Sequence, residues 1–359
     1  MSAALAQAER PRRRGIAIGP VALRVRRRAL LVGAGTSLLL VALLAASVFT
    51  GTLHFTPERV LATLVGDGTK VEELVLIDHR LSRALAGILV GFALGCAGAL
   101  TQSITRNPIA SPDILGVISG ASLCAVLVAT QPSIRRLFGG LPAGQAVSLA
   151  AFIGGLLTTA LILALSWRAG FDGLRLILVG LSINAIAMAG VSFALTRTED
   201  YNAALAMRWL TGSLAPARMP DVQRLLPVVV VGAVVCLALH QALARLRMGR
   251  DLSLLLGGRP AAAEGISLVV AVALVAAACA VAGPVAFVAF VAAQGAMRLF
   301  GTAGPPPLAA GLVGATLVLG ADLAVQRLPG DLPVGVPTGI IGAIFLLNLL
   351  LRTTRRTRV

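Results

Sequence analysis

Residues 80–116 read RLSRALAGILVGFALGCAGALTQSITRNPIASPDILG. After Arg83 comes an apolar run about as long as a bilayer-crossing helix, for which roughly 20 residues are needed. Gly87, Gly91, Gly95 and Gly98 form a stripe of missing side chains along it. Such stripes let helix backbones approach closely in lipid, so helix packing is the first reading and channel lining the lesser one. The run ends at two turn formers, Asn107-Pro108 and Ser111-Pro112, because proline pushes the preceding residue out of the helical region. Asn107 and Ser111 can satisfy the backbone groups freed at such a break. A helix–turn–helix that only holds the fold and one that serves transport are equally open.

The rest of the 359-residue chain repeats this character. Hydrophobic residues make up 57%, charged residues 13%, and mean hydropathy is +0.90. A soluble domain carries about 25% charge. A soluble enzyme, a disordered chain and a nucleic-acid-binding domain are therefore excluded. Ten spans are expected, at 29–50, 84–104, 114–130, 146–166, 174–196, 225–244, 266–283, 285–299, 307–326 and 334–351. The third and eighth are short, and Gly283-Pro284 alone divides the seventh from the eighth. The fold class is an all-α polytopic membrane protein: a basic segment 1–28, a membrane domain 29–351 and a basic tail 352–359.

The net charge of +16 is arranged by position. With the N-terminus inside, the inner side holds 20 basic against five acidic residues, and the outer side 11 against nine. Both termini are thus placed in the cytosol. The first span is too long for a signal peptide's apolar core, which runs to roughly 15 residues. The outer arginines exceed what topology explains. Cys96, Cys124, Cys236 and Cys279 lie in apolar runs and read as buried, inert thiols. His54, His79 and His240 are scattered, so no metal-ligand spacing is present. The one lysine, Lys70, has no phosphate-loop glycines around it, and no nucleophile–base pair is legible.

In order along the chain, Arg80-Leu81-Ser82-Arg83, the glycine stripe, the Asn107–Gly116 turn, Trp209–Leu214, Gly283–Val288, Ala321-Asp322-Leu323 and Leu332–Gly339 resemble the segments of the FecCD-type permeases. Those are the membrane subunits of ABC importers for iron–siderophores, haem and cobalamin. The resemblance covers about residues 30–352. It implies a type II importer permease in a bacterial cytoplasmic membrane. It also implies a separate ATPase pair inside, a binding protein outside and a second permease subunit. A ferric siderophore is the leading substrate, with haem or cobalamin as alternatives; no cofactor and no nucleic acid are expected.

Residue by residue, the resemblance places binding-protein docking on Arg80 and Arg83, where snorkelling arginines are the other reading. The family's third outer arginine falls on Gln326, with Arg327 one place later. The ATPase-coupling loop spans Arg245–Gly265 and includes Leu256, Gly257, Arg259, Pro260, Ala261 and Glu264. Proline at a first helical position permits a short helix through Ala261–Ala263; a plain linker is the alternative. Asp172 and Gly173 match a cytosolic gate, and Asn107 and Pro108 join the pathway list. The family's APHxxR element falls on Ala292–Met297 without its proline and histidine, which implies one half of a heterodimer; a homodimer is the alternative. Asp322, the clear intramembrane acid, is expected to pair with Arg327 or a backbone donor. A proton relay through it would instead mark an ion-coupled carrier. A scaffold without transport is the third class.

Overall fold

The computed structural model describes residues 16–18, 21–23, 27–51, 53–112, 116–166, 173–198, 200–328 and 332–356. A small antiparallel hairpin, β1 (Ile16–Ile18) with β2 (Val21–Leu23), precedes the helices. Then come α1 (Arg27–Phe49), α2 (Pro57–Val65) and α3 (Lys70–Glu73). A π-helical stretch Leu74–Leu81 joins α3 to α4 (Ser82–Thr105) without a break. Next are α5 (Val117–Thr130), the short α6 (Pro132–Arg135), α7 (Ala143–Ser166), α8 (Gly173–Thr196) and α9 (Asp200–Leu210). After them stand α10 (Met219–Ala238), α11 (His240–Leu246), α12 (Arg250–Leu255) and α13 (Pro260–Ala282). The last three are α14 (Val288–Phe300), α15 (Pro307–Val325) and α16 (Gly335–Arg356).

Seven described helices are long and apolar enough to cross a membrane; α5 with the segment after it, bent by 100°, makes an eighth. Shorter apolar helices at Val288–Phe300 and Gly335–Leu349 account for the remaining expected spans. At 13 residues, α14 is about 20 Å long, well under the ~30 Å hydrocarbon core. Several boundaries differ from the sequence reading. The second span begins far earlier, at Lys70, so Arg80 and Arg83 sit within a helix rather than before one. The sixth ends at Ala238, and after Leu239 the chain continues as the separate α11 to Leu246.

α4 is the centre of the bundle: 78% of its apolar window is buried, against none of that of α1. Its stripe is filled by other backbones. A Cβ on Gly91 would collide with Gly314 of α15, one on Gly95 with Ala310, and one on Gly98 with Ala289 of α14. The stripe therefore packs helices, as its spacing implies. A buried polar contact ties α4 to α14: Gln294 Nε2 donates to Gln102 Oε1 at 2.7 Å. The element expected to carry a proline and histidine thus carries a glutamine that ties α14 to α4. Three of the cysteines are buried and Cys124 is half-buried.

Candidate functional site

Contacts define two ends of the bundle. At the α4 N-terminal end, the Arg80 guanidinium donates to the Val48 carbonyl at 2.9 Å and the Leu53 carbonyl at 2.6 Å. It also lies 5.0 Å from the centre of the Phe55 ring. Arg80 thereby fastens the end of α1 to the second span. One turn on, Arg83 grips Asp322 of α15 with a fork: Nε to Oδ2 at 2.9 Å and Nη2 to Oδ1 at 2.8 Å. The Asp322 carboxylate is 1% exposed and the Arg83 side chain 25%. Gln326 Nε2 donates to Asp322 Oδ2 at 2.7 Å. A buried charge needs this kind of geometry, with paired N–H groups and the remaining lone pairs occupied.

The expected partner of Asp322 is corrected by this arrangement. Arg327 is exposed, and its described hydrogen bond is from its backbone N–H to the Ala324 carbonyl. Helical spacing explains the difference: Gln326 lies four residues after Asp322 on the same face, whereas Arg327 lies five after it. The glutamine in place of the family's arginine has a definite job here, completing the shell of the acid.

Three motifs that are far apart in sequence meet beside this end. The Ser213 N–H donates to the Ala282 carbonyl at 2.7 Å, and the Gly335 N–H to the Gly212 carbonyl at 3.1 Å. Gly212 has φ +72, and Gly283 has φ +68 with no room for a Cβ beside the Trp209 carbonyl. The turn after α9, the α13–α14 break and the start of α16 therefore form one junction, which requires glycine at both positions. Arg208 borders the same region, and Arg218 donates to the Ala217 carbonyl at 3.2 Å, which also accepts from Ser82. The end is rich in arginine. Two of its described acids are engaged: Asp322 by Arg83, and Asp221 by the Arg218 backbone at 3.0 Å and Arg224 at 3.5 Å.

The opposite end gathers other arginines. Arg28 donates to the carbonyls of Leu299 at 3.0 Å and Arg298 at 2.8 Å, capping the C-terminus of α14, where a cation is favoured. Arg247 donates to Pro305 at 2.8 Å, and burial pushes its guanidinium below the usual arginine range. Here α12 exposes Leu252, Leu254 and Leu255, the last at 84%. Leu256, Gly257, Arg259 and Ala261 are exposed as well, with Gly257 at φ +71. Pro260 is the first residue of α13, so Ala261–Ala263 begin the long helix. The separate short helix expected there is instead α12, one segment earlier. Glu264 is buried and lies 3.5 Å from Arg250, so it anchors α12 rather than facing outward.

The α4 C-terminal turn is exposed at Asn107 and Pro108, and Asn107 Oδ1 accepts the Ile109 N–H at 3.0 Å. Arg106 takes the left-handed conformation that ends α4. Gly173 opens α8; Asp172, with the rest of its turn, and residues 113–115 lie outside the described residues. Among the described residues no group of three or more His, Cys, Asp or Glu could hold a metal ion. Sequence reasoning missed the Arg83–Asp322–Gln326 cluster, because its members are 239 residues apart. Ser213 was legible only as part of the Trp209–Leu214 segment, without a role of its own.

The architecture is that of a multi-pass helical membrane protein of the ABC importer permease type. A solved inward-facing metal-chelate type ABC transporter shares the fold, with TM-score 0.77 over 90% of this chain and 99% of its own, at 23% identity. The chain belongs to the FecCD transport family, whose model matches residues 38–352. It is 37% identical to the ferric enterobactin transport system permease FepG of Escherichia coli over 86% of this chain and 91% of that protein. Identity to FepD of the same organism, a second ferric enterobactin permease, is 35% over 89% and 95%. To the iron(3+)-hydroxamate import system permease FhuG of Bacillus subtilis it is 32% over 90% and 97%.

Proposed function

We propose that this chain is the membrane-spanning permease subunit of an ATP-driven importer, forming the translocation path for a ferric siderophore or similar iron chelate. The observation that carries the reading is the family match along residues 38–352 together with relatives such as the ferric enterobactin and iron(3+)-hydroxamate permeases. Their names favour an iron chelate over haem or cobalamin. The chain has no phosphate-binding loop, so ATP hydrolysis falls to separate ATPase subunits. A second permease subunit completes the path, most simply as a heterodimer.

The protein sits in a bacterial inner membrane with both termini in the cytosol, supported by the basic residues at 1–28 and 352–359. The Arg83 end then faces outward. Arg80, Arg83 and Arg327 receive acidic groups of a binding protein, with Arg83 held in register by Asp322. The opposite end meets the ATPase through α12 and the start of α13, using the exposed leucines and Leu256, Gly257, Arg259 and Ala261, while Pro260 is buried and contributes by starting α13. Glu264 contributes by anchoring α12 through Arg250. The Asp172-Gly173 and Asn107-Pro108 turns serve as gate elements.

In cells, loss of the cognate ATPase is expected to abolish radioiron-chelate uptake, and an uncoupler alone to leave it largely intact. Leu255→Glu should cut uptake and ATPase co-purification by about tenfold or more, the equivalent of one lost apolar anchor, at an unchanged membrane level. Uptake that survives ATPase loss but collapses with an uncoupler would mean an ion-coupled carrier.

A further inference from the structure

Residues 301–306 join α14 to α15, and Arg247 at the end of α11 clasps this turn. Its Nη2 donates to the Pro305 carbonyl at 2.8 Å, across 58 residues of sequence. Gly304 makes the room: a Cβ there would stand 2.6 Å from Arg247 Nε and 2.8 Å from its Cζ. Gly304 and Pro305 are buried, and Thr302 Oγ1 braces the turn by donating to the Gly304 carbonyl at 2.8 Å.

Neither side of this contact has slack. Pro305 is followed by Pro306 and by Pro307, the first residue of α15. Successive proline rings fix φ, so a displaced Pro305 carbonyl carries α15 with it. With 19 residues, α15 is a rod of about 28 Å that holds Asp322 in the grip of Arg83 near its far end. On the other side, α12 begins at Arg250, directly after Met248-Gly249. Backbone bonds brace that step: Met248 N–H to the Arg245 carbonyl at 3.0 Å, Gly249 N–H to Leu246 at 3.1 Å and Ser253 N–H to Gly249 at 3.0 Å.

We infer that Arg247 is a positioning residue for energy coupling: it links the ATPase-facing helix α12 to α15, and through α15 to the outer arginine end. The inference rests on the importer reading and deepens it with a residue that acts through another helix. Coupling between two sites is reciprocal. Movement imposed on α12 by the ATPase reaches the outer end, and docking outside reaches α12 by the same link. Stimulation of ATP hydrolysis by the binding protein therefore reads the link. The separate Arg250–Glu264 pair keeps α12 tied to α13 when the link is cut.

The test uses the complete importer in lipid nanodiscs: this chain, its partner permease, the ATPase and the binding protein of the same importer. ATP hydrolysis is measured with and without the binding protein. Arg247→Met removes the donor and keeps an apolar stem. Gly304→Ala leaves Arg247 in the chain and displaces its flexible guanidinium. Each is expected to cut the stimulation at least about fivefold, with ATPase co-purification unchanged in Gly304→Ala. The double variant should be no worse than the worse single, because both act on one contact. Arg247→Lys should keep part of the stimulation, since an ammonium can still donate to Pro305. Unchanged stimulation in Arg247→Met or Gly304→Ala would overturn the assignment. So would additive losses in the double variant, stimulation lost only together with ATPase co-purification, or an unaltered complex whose hydrolysis ignores the binding protein. Failure of any ATPase to co-purify with the unaltered chain would instead remove the importer reading.

Discussion

Arg83→Met is expected to destabilise the protein by about 3 kcal/mol or more, because it leaves Asp322 as an uncompensated charge inside the bundle. The carboxylate is 1% exposed, and its remaining donor is the neutral Gln326. The partial exposure of Arg83 lets some water in and holds the loss toward the lower end of the range for broken buried pairs. The double variant Arg83→Met with Asp322→Leu should recover most of that loss, since replacing both partners by apolar groups is often near neutral. Thermal unfolding of the purified protein in one detergent, run on both singles and the double, measures the coupling. Independent, additive effects would show that the pair does not hold α4 to α15.

Gly95→Leu is the second large effect. A Cβ at Gly95 already collides with Ala310 and comes within 3.0 Å of the Gly311 Cα. Those neighbours are backbone and cannot swing away. The helices must separate, which breaks the packing on both sides of the stripe. Overpacking ordinarily costs about 1–3 kcal/mol, and a collision of backbone with a four-carbon side chain belongs at or beyond the top of that range. The expected outcome is aggregation on size-exclusion chromatography instead of a monodisperse peak. Gly265→Ala is the matched control, because nothing lies within 4 Å of its added Cβ and alanine favours a helix. It should be neutral or slightly stabilising. Equal tolerance of the two substitutions would contradict the close approach of α4 and α15.

The span order was legible in the sequence because apolar length and proline breaks are local signals. The glycine stripe was legible too, since its 3- and 4-residue spacing sets one helix face. The Lys70–Leu81 extension was not, because charged residues interrupt its pattern and a π-helical stretch carries the chain through them. The resemblance singled out Arg83 but could not show its use: the pairing acid is 239 residues away. For Asp322, proximity in sequence pointed to Arg327, while helix geometry chose Gln326. At the other end, residues 245–265 hold the end of α11, all of α12 and the start of α13, so the expected short helix is displaced to α12. Proline at position 260 opens a long helix as readily as a short one, so the pattern did not separate α12 from α13.

The central claim is that this chain conducts an iron chelate for an ATP-driven importer. The most direct measurement is radioiron-chelate accumulation in proteoliposomes holding this chain, its partner permease and the ATPase, with the binding protein supplied on the outer side. Accumulation against a gradient is predicted only when ATP is enclosed and the binding protein is present, and it should persist with ion gradients collapsed. Accumulation without ATP, driven by an imposed proton or sodium gradient, would contradict the account.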